Sequence, residues 1–345
     1  MDFPPFEHAQ WLAQAWRHGP PKHNLGSSGF AHPLAAAYAT AEPDDVTLID
    51  LDAGHHLRDR IAARHQLAPE QVQVTAGTSA ANTAVLAALI RPGCNVVSER
   101  PTYTPLAQIA HAFGAEIRWI DRGEPWDLDA VADACDDATA AILCTSPGNP
   151  TGRPLDAATL RRLGDIAASV GARVLVDQVY RELTEHPLGA AVHPAIISTA
   201  GMNKCWGGAG LRVGWMIGND LEPMRRAAQL LHLAPSTFGM RVAGQMLDNE
   251  PAFQQELQRH LDAVHPVYDA WADSMGADRA TGLVAFAPMP DSLATAKRLL
   301  RDGVLTVPGD LFMGPGHVRI GLGVGADELA ASLDALSSGL RAQTF

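Results

Sequence analysis

The strongest constraint on the fold is an alternation of two periodicities that begins near residue 71. QVQVT (71–75) reads as a strand, followed by a glycine turn and the apolar helical stretch SAANTAVLAALI, which Arg91-Pro92-Gly93 stops. NVVSE (95–99) reads as a buried strand, Pro105–Phe113 as a short helix ended by Gly114, and EIRWI (116–120) as another strand. AAILCT (140–145) follows, then a helix N-capped by Asp156 and running to about Val170. RVLVD (173–177), AIIST (195–199) and LRVGWMIG (211–218) complete the set. Strands alternating with helices predict an α/β fold, a mostly parallel sheet covered on both faces.

Beyond about residue 236 the texture changes. A helical stretch over Thr237–Met275 is broken near Glu250-Pro251. A strand (LVAFA, 283–287), a helix (Asp291–Arg301), short strands near 304–307 and 317–322 and a last helix (Asp327–Leu340) predict an α+β unit. Residues 1–50 are rich in Pro, His and Gly and read as an arm with one or two short helices. The expected division is an arm with part of a small domain (1–45), a large domain (46–235) and the remaining small domain (236–345). A chain of 345 residues accommodates this and can bury its core without disulfides or a structural metal.

Charge narrows the partners. Lys+Arg is 26 and Asp+Glu 38, a net charge of −12, which repels phosphate backbones and argues against nucleic acid. The four cysteines show no paired spacing, which fits a reducing, cytoplasmic setting. The start, MDFPPFEHAQ, lacks the basic and apolar regions of a signal peptide, and no run is long enough to span a bilayer, so no membrane role is expected. Only three basic residues are lysines: Lys22, Lys204 and Lys297.

Five patterns fall at predicted strand ends, where open α/β sheets place ligands. Gly77-Thr78-Ser79 joins a strand to a helix, and that turn serves either as an anion cup or as an ordinary N-cap. Ser146-Pro147-Gly148-Asn149-Pro150-Thr151-Gly152 is a stiff loop that presents an amide, or a surface turn. Asp177 ends a buried strand, where a carboxylate needs a cation or caps a helix, and Tyr180 follows it. Lys204 sits among glycines, a nucleophile for Schiff-base chemistry or a solvated loop residue, with Arg212 eight residues later. Arg319 in the apolar strand HVRIG grips a carboxylate or makes an edge ion pair.

In order, these motifs resemble the class I/II aminotransferases among the fold-type-I pyridoxal 5′-phosphate enzymes, over roughly residues 20–340. The resemblance implies a large domain with a seven-stranded, mostly parallel sheet, a smaller α+β domain, and a homodimer. It implies that Lys204 carries pyridoxal 5′-phosphate as a Schiff base and shuttles the proton. Asp177 then pairs with the ring nitrogen, Asn149 and Tyr180 with the ring 3′-oxygen, and Tyr103 of PTY stacks on the ring. Gly77, Thr78, Ser79 and Arg212 hold the phosphate, and Arg319, with Asn149, takes the substrate carboxylate. A cis Asn149-Pro150 peptide is also expected. The implied reaction moves an amino group from an L-amino acid to a 2-oxo acid in ping-pong order. A lyase, decarboxylase or cyclase on the same scaffold is the alternative. A dehydrogenase is excluded, because no G-x-G-x-x-G follows the first strand.

Two departures stand out. Relatives carry Ser three residues before the lysine and often another directly before it, where this chain has Gly201 and Asn203; Ser198 and Thr199 lie further back. Relatives also carry Tyr before a G-x-x-x-L-R segment; here Gly54-His55-His56-Leu57-Arg58 follows Leu48-Ile49-Asp50. His55 and His56 either line the site or begin a surface helix.

Overall fold

The computed structural model describes residues 3–341 except 18, 39, 41, 43, 44, 46, 48 and 49, so Leu48 and Ile49 lie outside the described residues. Strand β1 (His23–Asn24) belongs to the arm. The central sheet holds β2 (Val72–Thr75), β3 (Asn95–Arg100), β4 (Glu116–Asp121), β5 (Thr139–Thr145), β6 (Arg173–Asp177), β7 (Ile196–Gly201) and β8 (Gly214–Ile217). Its seven strands run in the order β2-β8-β7-β6-β5-β3-β4, and only β8 is antiparallel to its neighbours. This is the mostly parallel seven-stranded sheet expected from the alternation. Val174, Leu175 and Val176 of β6 are fully buried, as strands covered on both faces must be.

The helices follow their chemistry. Thr78–Leu89 is alanine-rich and packs against β8 and the Glu222–His232 helix. Ala157–Ser169 begins at Asp156, whose carboxylate accepts from the Thr159 amide at 2.7 Å. The expected break near Glu250 separates Thr237–Asp248 from Glu250–Met275. Two short or isolated helices, Leu128–Asp133 and Glu222–His232, were not anticipated; the first is too short to show a period.

A second sheet contains β9 (Val284–Pro288), β11 (Val307–Pro308) and β12 (His317–Gly321), antiparallel in the order β11-β12-β9. The remaining strand, β10 (Val304–Leu305), pairs parallel with β1, so the arm is stitched to the C-terminal part of the chain. One strand expectation needs correction: residues 211–213 are not β-structure. Ala209–Leu211 is a 3₁₀ turn, Arg212 is left-handed (φ 54°), and β8 starts at Gly214. Among the described residues no helix is long and apolar enough to cross a membrane.

Candidate active site

Parallel strands deliver the candidate residues to one end of the sheet. β2 leads into Gly77-Thr78, β3 into Tyr103, β5 into the 146–152 loop, β6 ends at Asp177 and β7 leads to Lys204. A cavity of about 180 Å³ is lined by Thr78, Ser79, Tyr103, Asn149, Asp177, Tyr180 and Lys204. An adjoining cavity of about 540 Å³ shares Lys204 and Asn203 with it and reaches Arg212. A roomier groove of about 660 Å³ between the arm and β4 holds none of the candidates.

Lys204 is not a solvated loop lysine. Its Nζ donates to Ser28 Oγ at 2.6 Å and stands 6.0 Å from the centre of the Tyr180 ring. Burial, with the Arg319 charge second, lowers its pKa to about 8, against the pull of Asp177. Asp177 is not a helix cap, since no helix follows it. It accepts from Asn82 Nδ2 at 2.8 Å and the Val179 amide at 3.1 Å, while Thr199 Oγ1 donates to Asn82 Oδ1 at 2.6 Å. Burial raises the Asp177 pKa, and those hydrogen bonds and Lys204 oppose the rise. The Tyr180 phenol is pushed up to about 12 by burial, although Arg319 and Ser28 pull it down. Tyr103 is likewise pushed to about 12 by burial, then by Asp177, and Ser79 opposes.

The glycine turn closes on Arg212. Gly77 has φ 93°, and a Cβ there would stand 2.7 Å from Arg212 Nη2. Glycine therefore meets both the backbone requirement and the close approach of the guanidinium. Arg212 has no carboxylate partner among the described residues; its Nη1 donates only weakly, at 3.5 Å, to the Ala209 carbonyl. Thr78 Oγ1 and Asn203 Oδ1 are buried without hydrogen bonds. Gly201 explains one departure: a Cβ there would stand 2.7 Å from Thr78 Oγ1. The threonine hydroxyl thus occupies the space that a serine at 201 would need. Ser198 and Thr199 do not substitute, because Ser198 Oγ accepts from the Ala190 amide and Thr199 is bonded to Asn82. His55 and His56 are exposed on the Leu51–Arg64 helix, the surface-helix alternative.

Arg319 lies on the central strand of the second sheet and is fully buried, not a half-exposed edge residue. It has no salt bridge among the described residues. Its Nη2 donates to the Gly26 carbonyl at 2.7 Å and its Nη1 to Asn149 Oδ1 at 3.3 Å, while Nε is unpartnered. A buried guanidinium without a counter-ion is costly, and an anion brought to it would be held strongly. Asn149 is held in turn. Its amide donates to Thr145 Oγ1 at 3.1 Å, and that hydroxyl donates to the buried Glu99 carboxylate at 2.8 Å. Arg122 pairs with Glu99 at 2.8 Å and donates to the carbonyls of Thr145 and Arg153, at either side of the loop. The Asn149-Pro150 peptide is cis.

Several site residues escaped the sequence reading. Asn82 falls one turn after Thr78 and, like it, is buried on the same helix, which was a usable signal. Ser28 and His8 arrive from the arm and carry no local signal. His8 Nε2 lies 3.5 Å from Arg319 Nη2, and burial, then Arg319 and Lys204, lowers the histidine to a pKa of about 2. The imidazole is therefore neutral and accepts from the guanidinium.

Comparison with known proteins agrees with this arrangement. The model of the family "Aminotransferase class I and II" matches residues 24–336. An arginine–pyruvate transaminase of Pseudomonas aeruginosa is 30% identical over 330 residues, covering 81% of this chain and 79% of its own. Capreomycidine synthase of Streptomyces vinaceus is 30% identical over 308 residues, covering 82% of this chain and 78% of its own. A solved aminotransferase from Streptococcus suis, dependent on pyridoxal phosphate by its title, superposes with a TM-score of 0.87 at 25% identity over 99% of both chains.

Proposed function

Since the chain belongs to the aminotransferase class I and II family, we propose that it transfers the amino group of an L-amino acid to a 2-oxo acid in ping-pong order, with Lys204 as the covalent anchor of pyridoxal 5′-phosphate. The observation that carries this reading is a lowered-pKa lysine facing a buried aspartate, beside buried polar atoms without partners: Thr78 Oγ1, Asn203 Oδ1 and Arg319 Nε. Those orphans cost stability unless a polar group fills the space between them. A phosphorylated pyridine aldehyde offers acceptor oxygens to the Thr78 hydroxyl, and a substrate carboxylate offers them to Arg319 Nε.

When bound, the cofactor supplies an electron sink for charge developing at the substrate Cα. The chain's residues do the rest. Gly77, Thr78, Ser79 and Arg212 hold the phosphate, at the N-terminus of the Thr78–Leu89 helix, where free amides favour anions. Asp177 keeps a proton on the ring nitrogen, and Asn82 keeps Asp177 aimed. Asn149 and Tyr180 donate to the ring oxygen, and Tyr103 covers the ring face. Arg319 binds the substrate α-carboxylate, steadied by Asn149, Gly26 and His8. With a pKa near 8, Lys204 Nζ is neutral often enough at physiological pH to take the Cα proton and charged often enough to return it.

The side-chain wall is Phe6, His8, Ala9 and Leu12, and the cavity lining contains no cation besides Lys204. That lining suits a substrate whose side chain carries no second carboxylate. A homodimer and a cytoplasmic setting are part of this proposal; the exposed Leu230, Leu231 and Leu233 offer an apolar face to a second copy.

A relative named as a lyase and another named as a synthase stand among those found, so a lyase, decarboxylase or cyclase on this scaffold is the second reading. The test is one experiment. Purified protein is mixed with pyridoxal phosphate and a panel of amino acids, with absorbance and products followed. A 2-oxo acid with pyridoxamine phosphate supports transamination, whereas ammonia with pyruvate supports elimination. Lys204→Ala should lose the borohydride-fixed cofactor mass; its persistence overturns the assignment.

A further inference from the structure

The segment Asn24–Phe30 passes between Lys204 and Arg319 and is fastened on both sides of Ser28. Asn24 Oδ1 accepts from the Gly26 amide at 3.1 Å, and the Gly26 carbonyl accepts from Arg319 at 2.7 Å. The Leu25 carbonyl accepts from the Gly321 amide at 2.7 Å, and the Phe30 amide donates to the Lys204 carbonyl at 3.0 Å. Packing leaves no slack: a Cβ on Gly321 would stand 1.6 Å from the Ser27 carbonyl oxygen, and one on Gly323 2.0 Å from the Gly29 carbonyl oxygen. A serine so held has one hydroxyl to aim, and it aims at Nζ, 2.6 Å away, inside the cavity.

We propose that Ser28 is a catalytic residue of this site, its hydroxyl oxygen holding the Lys204 amine in line with the substrate Cα and stabilising the ammonium formed when that amine takes the proton. The inference rests on the functional reading above. In the step, the Cα–H bond breaks with its pair left on carbon and an N–H bond forms at Nζ. The new positive charge then faces the Ser28 lone pair, and Ser28 neither gains nor loses a proton. Delivery of the proton reverses the change at Nζ. A hydrogen bond to a charged group is about twice as strong as a neutral one, so the contact favours the ammonium selectively. The other groups acting on Nζ are Arg319 and Arg212, which oppose its charge, and Asp177 and Cys205, which favour it. The neutral His8 ring adds none. Ser28 also lowers the pKa of the Tyr180 phenol, so one hydroxyl serves both groups.

The test exploits the three lysines of the chain. Cofactor-free protein is pulsed with acetic anhydride from pH 6 to pH 10, and acetylation at Lys22, Lys204 and Lys297 is read by mass spectrometry. In Ser28→Ala the Lys204 midpoint should fall by about half a unit to one unit, so its labelling at pH 7 rises about threefold while the other two lysines are unchanged. In the loaded enzyme, kcat should fall about tenfold with KM within about twofold, and Ser28→Thr should restore both readouts. Thermal melts register folding of each variant. An unmoved Lys204 profile in folded Ser28→Ala, or a loss confined to KM, overturns the proposal. A wild-type chain that neither binds pyridoxal phosphate nor transaminates overturns the functional reading instead, and the labelling profile still decides whether Ser28 holds the amine.

Discussion

Replacing Asn82 with leucine, which has the same branched shape and number of side-chain heavy atoms, removes one hydrogen bond to Asp177 and leaves the one from Val179. A hydrogen bond to a charged acceptor is worth about 1.5–3 kcal/mol and one to a neutral group about 0.5–1.5 kcal/mol. The Asn82 amide therefore favours the carboxylate over the carboxylic acid by about 1–1.5 kcal/mol, and its loss raises the Asp177 pKa by about one unit. Burial already holds that pKa above the ordinary carboxylate range, so the native state binds the proton more tightly than the unfolded chain does. Such a group costs stability as pH rises from the unfolded pKa, near 4, through the folded one, and the cost is absent below that window. The variant widens the window upward. Its destabilisation relative to wild type should thus be about 1–1.5 kcal/mol larger at pH 7.5 than at pH 4. Thr199 also loses its acceptor, but its hydroxyl does not titrate, so that loss cancels between the two pH values. Urea unfolding of the cofactor-free protein at both pH values measures the difference, and the acid limb of kcat should move up by about one unit in parallel. Equal destabilisation at both pH values, with an unmoved acid limb, would refute the account of how Asp177 is kept ionised.

Two further outcomes follow from close contacts. Gly77→Ala forces a left-handed alanine and brings its methyl against Arg212, so affinity for pyridoxal phosphate, read by fluorescence titration, should fall about five- to hundredfold for a cost of about 1–3 kcal/mol; unchanged affinity refutes the cup. Arg122→Met leaves the Glu99 carboxylate buried and unpaired, at a cost of about 3–5 kcal/mol, and pairing it with Glu99→Gln should recover much of the loss. Denaturant midpoints for the three variants check this, and a double variant as unstable as Arg122→Met alone counts against the argument.

Much of the fold was legible because period and punctuation agreed: Asp156 announced its helix, and the run RVLVD announced a strand covered on both faces. Arg212 was legible as a residue but not as a conformation, because its left-handed backbone depends on the turn packed around it. In the site, Lys204, Asp177 and Asn149 stood out because each sits at a strand end in a chemically unusual setting. Ser28, His8 and Glu99 did not, because their significance comes from partners distant in sequence: Lys204 for Ser28, Arg319 for His8, Arg122 and Thr145 for Glu99. The exchange between Gly201 and Thr78 was half legible. The missing serine showed in the sequence; the hydroxyl in its place, contributed from another strand end, did not.

The strap from Asn24 to Phe30 is synthesised well before its seats at Val304–Leu305 and Gly321. A nascent chain stopped before residue 304 can complete every strand of the central sheet but lacks the seats for the Asn24–Gly26 end of the strap. Arg319 and its hold on the strap therefore arrive only after the large sheet has had time to assemble.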